Sequence, residues 1–242
     1  MVAMLLLLAG QDSAVQIFKV GALDRQAIVV APKSAKPPLV FVFHGHGGNM
    51  RQAQRSFGIE GKWPEAMVVY PQGLPTKGIT DPEGKLNGWQ QKKGDYEDRD
   101  LAFFDAMMRS FHGKFDPKRV YVTGHSNGGR MTYLLWSERG NILAAVAPSA
   151  SPAVLGIRNA KAIPAFIVAG TEDKIVPYRI QEMSINAVRR HLGTDASKGR
   201  TDGYTRLEPG ADGLELGTYI FPGPHSIPKP AIEQIVAFFK RH

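Results

Sequence analysis

The feature that most constrains the fold of this chain is a short segment, GHSNGG at residues 124–129. It follows an apolar run and precedes a helix-length stretch. The pattern G-x-S-x-G in that context is typical of a nucleophile elbow, a tight turn that exposes a serine hydroxyl at the end of a strand. The residues beside the serine must be small, and Gly124 and Gly128 meet that requirement. The motif therefore predicts Ser126 as a nucleophile, with a glycine-rich strand–helix turn and an incidental serine as the alternative.

The rest of the chain alternates short apolar runs with amphipathic stretches of helical length. This alternation predicts an α/β fold, with helices on both faces of a mostly parallel central sheet. Together with the elbow it predicts the α/β-hydrolase fold. The predicted strands cover residues 26–31, 39–44, 67–70, 120–123, 144–147, 165–169 and 217–221. The predicted helices cover residues 98–111, 129–138, 180–191 and 230–241.

The chain of 242 residues is expected to form one catalytic domain over residues 25–242, since no repeat or linker interrupts it. Residues 1–24 are expected to form an N-terminal segment that includes a lead-in strand. Its start, MVAMLLLLA at 1–9, is too short to span a bilayer and has no preceding basic residue. It fits a degenerate export signal, which predicts a secreted or periplasmic protein. It fits equally an apolar segment packed on the domain of a cytoplasmic protein.

The composition narrows the classes of partner. The chain has no cysteine, which excludes disulfides and cysteine-based metal sites. The net charge is +8, but the basic residues are scattered and no nucleic-acid motif is present, so no nucleic-acid partner is expected. Attraction to an anionic polymer or surface is a milder consequence of this charge. No cofactor and no membrane span are expected.

The partners of Ser126 should follow it in the order acid, then histidine. Among the later histidines, His191 falls inside a helical run and His242 is the terminal residue. His225 lies in a loop between the last predicted strand and helix, at the edge where α/β sheets bind ligands. His225 is therefore the predicted base. Asp173, in the turn after the strand at 165–169, is the predicted acid, with the adjacent Glu172 as the alternative.

The segment GHGG at residues 45–48 follows the second predicted strand. In this fold one oxyanion donor is the backbone N–H after the nucleophile, and the other comes from the loop after this strand. We therefore expect the backbone N–H groups of Asn127 and His46 to form an oxyanion hole. A metal site at His44 and His46 is a weaker alternative, because no third ligand is apparent.

These motifs resemble the polyhydroxybutyrate depolymerase and feruloyl esterase group of secreted bacterial esterases. The resemblance rests on PLVFVFHGHGG at 38–48, DPKRVYVTGHSNGG at 116–129, GTEDKIVPY at 170–178 and PHS at 224–226. It implies ester hydrolysis by Ser126, Asp173 and His225. The chain departs from the group at two positions: several members have a cysteine where His46 stands, and many have a tryptophan where Ile227 stands.

The predicted activity is carboxylic ester hydrolysis through an acyl-enzyme, on an ester that is polymeric or linked to a polysaccharide. The expected enzyme is a carbohydrate esterase of the feruloyl or acetyl type, or an esterase like the polyhydroxyalkanoate depolymerases. Acyl transfer on the same triad and a catalytically silent polymer-binding domain remain alternatives. The stretch 70–97 is polar, rich in Gly and Pro and without periodicity, which predicts a long functional or mobile loop. Trp89 within it is a candidate to stack on substrate, with loop packing as the alternative for Trp89, Trp63 and Tyr96.

Overall fold

The computed structural model describes residues 12–78, 81–153 and 155–242. Within them, ten of twelve strands join one sheet in the order β1-β2-β4-β3-β7-β8-β9-β12-β11-β10, and β5 pairs with β6. The strands are β1 Ser13–Val20, β2 Leu23–Val30, β3 Leu39–Phe43, β4 Met67–Pro71, β5 Leu74–Pro75, β6 Asn87–Gly88, β7 Val120–His125, β8 Ala145–Ser149, β9 Ala165–Gly170, β10 Arg200–Asp202, β11 Thr205–Pro209 and β12 Glu215–Phe221.

The centre of the sheet is parallel, from β4 through β3, β7, β8 and β9 to β12. Antiparallel pairs flank it at both edges, β1 with β2 and β10 with β11. In such a sheet the carboxyl ends of the central strands lie along one edge. The turns that carry Ser126, Asp173 and His225 all follow central strands, so the topology brings them to the same edge.

Helices cover both faces of the sheet. They are α1 Met50–Phe57, α2 Ile59–Lys62, α3 Arg99–Ser110, α4 Asn127–Arg139, α5 Tyr178–Leu192 and α6 Lys229–Arg241. Apolar side chains of α3, α4 and α5 share one core cluster with Phe41 and Phe43, while those of α1, α2 and α6 share the other with Val40 and Val42. The alternate residues of β3 therefore point into two cores, which explains why this strand has an unbroken apolar sequence.

All seven predicted strands and four predicted helices are present, with bounds shifted by a few residues. The structure adds the helices α1 and α2, the short strand pair β5 and β6, and the last two strands of the large sheet, β11 and β10. Helix α1 has only eight residues and buries three of them, and β10 has three residues that are all exposed, so both are too short for the sequence windows in which apolar periodicity is recognised. The predictions for residues 1–9 lie outside the described residues. No helix in the described ranges is long and apolar enough to cross a membrane.

The stretch 70–97 is a folded segment held by its own contacts. Strands β5 and β6 pair within it, and Gly78 bridges to Asp81. A 3-10 turn at Asp95–Asp98 has three successive residues in the left-handed region, with φ of 51° to 57° at Tyr96, Glu97 and Asp98. Such backbone costs about 1–3 kcal/mol per residue and persists only where its surroundings fix it.

Side chains of the same segment and of α3 hold this strained turn. The Asp98 carboxylate accepts hydrogen bonds from the backbone N–H of Gly94 and from the Gln90 amide, both at 2.8 Å. The guanidinium of Arg99 lies over the Tyr96 ring, 4.2 Å from its centroid. The segment is therefore anchored onto the body of the fold beside the predicted site.

Candidate active site

Ser126 occupies a strained turn between β7 and α4. Its φ and ψ are 58° and −119°, outside the conformations that side chains readily adopt. The two flanking glycines are required by close packing: a Cβ on Gly124 would lie 2.4 Å from the Gly128 carbonyl oxygen, and one on Gly128 would lie 2.1 Å from that of Phe43. The segment thus has the geometry expected of a nucleophile elbow.

Asp173 lies in the turn after β9, and its side chain is fully buried. One carboxylate oxygen accepts from the backbone N–H groups of Ile175 and Val176, each at 2.8 Å. The other accepts from the amide of Gln181 at 2.9 Å. These donors stabilise an ionised carboxylate and fix its direction. The neighbouring Glu172 is exposed, and the buried carboxylate is that of Asp173.

His225 lies between β12 and α6, and its Nδ1 is 2.7 Å from Oδ2 of Asp173. An ionised carboxylate can only accept, so Nδ1 carries the hydrogen and Nε2 is left with its lone pair. The side chain is 13% exposed. His225 and Ser126 line the same cavity, which has a volume of about 480 Å³. An acid, an oriented imidazole and a serine hydroxyl therefore meet at one place.

His125, the residue before the serine, lies at the site but was not among the predicted site residues. Its ring lies 4.8 Å from that of His225, centroid to centroid. Its Nδ1 is 3.2 Å from the Ser149 hydroxyl. Burial is the main cause, and the electrostatic interaction with His225 the second, of a pKa for His125 that is lowered to about 4. His125 is therefore neutral near pH 7 and adds no charge beside the imidazole of His225.

The loop after β3 lies against the elbow, since a Cβ on Gly45 would sit 3.5 Å from the Cβ of Ser126. The adjacent amides are occupied: Gly47 donates to the Asn87 carbonyl at 2.7 Å, and Gly48 to that of Gly45 at 3.0 Å. Within the described part of the chain, the backbone N–H groups of His46 and Asn127 donate to no protein acceptor. The loop after β3 and the start of α4 thus each offer, near the serine, a backbone N–H group that has no protein acceptor.

The His46 side chain occupies a dedicated seat. Its Nε2 is 3.3 Å from Oδ2 of Asp81, and that carboxylate also accepts from the backbone N–H of Gly84 and Leu86. These backbone hydrogen bonds, that of Leu86 foremost, lower the pKa of Asp81. A Cβ on Gly88 would lie 2.6 Å from Nδ1 of His46, so this position must be glycine for the ring to fit.

His44 is a structural residue. Both ring nitrogens are engaged, Nδ1 with the Gly45 carbonyl at 2.7 Å and Nε2 with the N–H of Gly73 at 2.9 Å. Burial lowers its pKa to about 4, so it is neutral. The alternative of a metal at His44 and His46 therefore requires breaking two hydrogen bonds. Among the residues that the structure describes, no group of three or more His, Cys, Asp or Glu could hold a metal ion.

Trp89 corrects the prediction that its ring is free to stack on substrate. The side chain is fully buried, and its Nε1 donates to the His44 carbonyl at 2.9 Å. The ring packs edge-on against Phe43, with centroids 4.9 Å apart. Trp89 therefore attaches the segment 70–97 to the loop after β3. Burial of this large ring stabilises the attachment, because it removes apolar surface from water. Trp63 is buried as well, while Tyr96 is partly exposed.

Two cavities open on Ser126. Both are bounded by His46 and Ser126. The larger, of about 480 Å³, is lined further by His225, His125, Gln52, Arg55, Ser56, Phe57, Ser226, Ile227 and Lys229, together with His44, Gly45, Gly48 and Ala53. The smaller, of about 100 Å³, is lined further by Gly78, Gln91, Asn127, Arg130, Pro152, Ile175 and Val176. Both positions at which the chain departs from the bacterial esterase group, His46 and Ile227, line the larger cavity.

Sequence comparison identifies relatives that are esterases, although no protein-family model matches. The chain is 31% identical over 161 residues to the bifunctional acetylxylan esterase/xylanase XynS20E of Neocallimastix patriciarum. The matched region covers 64% of this chain and 22% of that protein. It is 25% identical over 185 residues to feruloyl esterase D of Neurospora crassa, covering 72% and 59%. The chain therefore spans less than two thirds of the length of these curated relatives. The feruloyl esterase relative confirms the feruloyl esterase part of the resemblance drawn from the motifs, and the polyhydroxybutyrate depolymerase part stays a prediction.

Solved structures share the fold. An acetyl xylan esterase from Aspergillus awamori superposes with a TM-score of 0.67 at 13% identity, covering 95% of this chain and all of that one. Esterase PE8 superposes with a TM-score of 0.65 at 17% identity, covering 88% and 96%. At such identities the likeness establishes the fold. The chain has the predicted α/β-hydrolase fold, and its sequence is related to those of curated acetylxylan and feruloyl esterases.

Proposed function

We propose that the protein hydrolyses carboxylic esters through an acyl-enzyme on Ser126, with His225 as the base and Asp173 as the acid. The observation that carries the proposal is the arrangement of the three. A serine at a strained elbow and a histidine oriented by a buried carboxylate line one cavity. The esterase relatives support the same reaction class.

The reaction follows from these positions. Nε2 of His225 takes the proton of the Ser126 hydroxyl as its oxygen attacks the ester carbonyl carbon. The N–H groups of His46 and Asn127 stabilise the negative oxygen of the tetrahedral intermediate. As the carbon–oxygen bond to the alcohol breaks, His225 returns its proton to the departing alkoxide. Water then attacks the acyl-enzyme by the same route and releases the acid.

The two cavities divide the ester between them. His225 must protonate the departing alcohol, and it lines the larger cavity and not the smaller one. The alcohol part of the substrate therefore occupies the larger cavity, and the acyl part the smaller.

The smaller cavity selects a short acyl group. Its volume is about 100 Å³, against about 300–1,000 Å³ for sites that hold drug-sized ligands. That space suits an acetyl group, with Pro152 and Val176 in its wall, and is too small for an aromatic acyl group such as feruloyl. The burial of Trp89 also removes the ring that was a candidate to stack on the substrate. We therefore propose an acetyl esterase.

A substrate panel tests this function. The rates of hydrolysis of p-nitrophenyl acetate, butyrate and octanoate, of methyl ferulate and of short polyhydroxybutyrate are measured with the native protein and with Ser126→Ala. We expect acetate to give the highest kcat/KM and Ser126→Ala to lower the rate by about 10³–10⁶. Preference for methyl ferulate would contradict the acyl assignment. Undiminished hydrolysis by Ser126→Ala would contradict the mechanism.

A further inference from the structure

Two cationic side chains line the larger cavity, Arg55 from α1 and Lys229 from α6. Both residues are exposed. Neither side chain makes a hydrogen bond or ion pair with any residue in the described ranges. Some other arginines of the fold differ: Arg139 pairs with Asp105, Arg189 with Glu208, and Arg241 with Glu215. The guanidinium and ammonium groups at this cavity are thus left without counter-charge.

The cavity wall offers no carboxylate to neutralise them. Its lining residues include no Asp or Glu. Helix α1, which carries Arg55, has no acidic residue. The acidic side chains nearest in sequence, Glu60 in α2 and Glu233 in α6, have other partners: Glu60 accepts from Tyr70 and Gln54, and Glu233 pairs with Lys62. Asp173 lies behind His225 and is fully hydrogen-bonded. A cleft lined by one sign of charge raises the local concentration of ligands of the other sign.

The remaining lining suits a hydroxylated ligand. Gln52, Ser56 and Ser226 supply amide and hydroxyl groups, and Phe57 and Ile227 supply apolar wall. A volume of about 480 Å³ falls in the range of small-molecule sites. The smaller cavity differs, because its cation, Arg130, already donates to the Gln91 carbonyl at 3.1 Å.

We propose that the alcohol part of the substrate is an anionic saccharide, whose carboxylate or sulfate group binds Arg55 and Lys229. This rests on the proposed function, which assigns the alcohol part to the larger cavity. The protein then removes acyl groups from acidic sugar residues in preference to neutral ones. The excess of basic residues over the whole chain, a net charge of +8, attracts such a polymer at longer range.

The test compares matched substrates. The kcat/KM for acetate release is measured on an acetylated methyl glucuronoside, an acetylated methyl glucoside and an acetylated, sulfated methyl glucoside. The first two differ only in a carboxylate against a hydroxymethyl group. We expect the native protein to prefer an anionic substrate, chiefly through KM, and added salt to reduce the preference. The better of the two anionic substrates identifies the group recognised.

Variants assign the preference to the two cations. Arg55→Gln and Lys229→Gln are each expected to lower the ratio of anionic to neutral kcat/KM by up to about fivefold, and the double variant by about tenfold. Arg51→Gln is the matched control, since Arg51 is exposed on the same helix but does not line the cavity. It should leave the ratio unchanged.

The failure of this proposal is separable from that of the proposed function. Equal kcat/KM for anionic and neutral sugars, or a ratio that the double variant does not lower, would overturn the anionic subsite while the dependence on Ser126 persists. Acetate release that survives Ser126→Ala would instead overturn the proposed function.

Discussion

The two halves of the site are built differently. Ser126, Asp173 and His225 each lie within a few residues of the end of a central strand, on short turns. The half that contains the His46 amide depends on a segment distant in sequence: Trp89 donates to the His44 carbonyl, and Asp81 holds the His46 ring. The first half is specified locally and the second by long-range packing. Substitutions in the first half should therefore change mainly the rate of the chemical step. Substitutions in the second half should change mainly the positions of the residues and the stability of the fold.

The largest expected effect is in the first half. Asp173→Asn places an amide where Oδ2 now accepts from Nδ1 of His225 at 2.7 Å. An amide N–H at that point favours the wrong imidazole tautomer, which lowered kcat by about 10⁴ in a related triad. We expect a loss of that order in esterase kcat, measured on p-nitrophenyl acetate.

Glu172→Gln is the control for Asp173→Asn, because Glu172 is the adjacent acid and is exposed. It should keep near-native activity. A greater loss of activity in Glu172→Gln than in Asp173→Asn would show that Glu172, and not Asp173, is the acid.

This contrast also explains what the sequence could predict. A glycine-flanked serine after a strand and a histidine before the last helix are local signals, so Ser126 and His225 could be predicted together with the fold, and both line one cavity. The buried position of Trp89 could not be found, because it depends on contact with His44, 45 positions away in the chain. The seat of His46 depends in the same way on Asp81 and Gly88. His125 carried a local signal, as the residue before the serine, but its contact with His225 appears only in three dimensions.

In the second half the largest effect should fall on stability. Trp89→Ala removes a fully buried ring and its hydrogen bond to the His44 carbonyl. We expect the free energy of unfolding to fall by about 3–5 kcal/mol, measured by chemical denaturation. Because the ring does not reach substrate, kcat/KM should fall by the same factor for p-nitrophenyl acetate and methyl ferulate. An unchanged free energy of unfolding, together with a fall in kcat/KM for methyl ferulate alone, would show that Trp89 contacts the substrate.

Each half contains a histidine whose pKa burial lowers from 6.5 to about 4, His125 beside His225 and His44 directly after β3. Below pH 6.5 the unfolded chain binds a proton at each position and the folded chain does not. The free energy of unfolding therefore has its full value above that pH and decreases as the pH falls towards 4. Each should cost about 2 kcal/mol of unfolding free energy between pH 7 and pH 5.

The measurement is the free energy of unfolding at both pH values for the native protein, His44→Gln and His125→Gln. Each variant should lose about 2 kcal/mol less than the native protein over this range, whatever its stability at pH 7. An unchanged pH dependence in either variant would show that its histidine is protonated in the folded protein.

The smallest effect should come from the contact that positions His46. Asp81→Ala removes the partner of the His46 ring and the acceptor of two loop N–H groups. We expect kcat for p-nitrophenyl acetate to fall by about tenfold with little change in KM, equivalent to about 1.4 kcal/mol of transition-state stabilisation. Asp81→Asn, which keeps an acceptor, should restore part of the rate. A change in KM alone would place Asp81 in substrate binding.

Covalent labelling tests the central claim, that Ser126 is the activated nucleophile, most directly. The folded protein is treated with a fluorophosphonate probe, and the modified peptide is located by mass spectrometry. The account predicts one adduct, on Ser126, that is absent from Ser126→Ala and forms far more slowly in Asp173→Asn. An adduct on another residue, or equal labelling of Ser126→Ala, would contradict it.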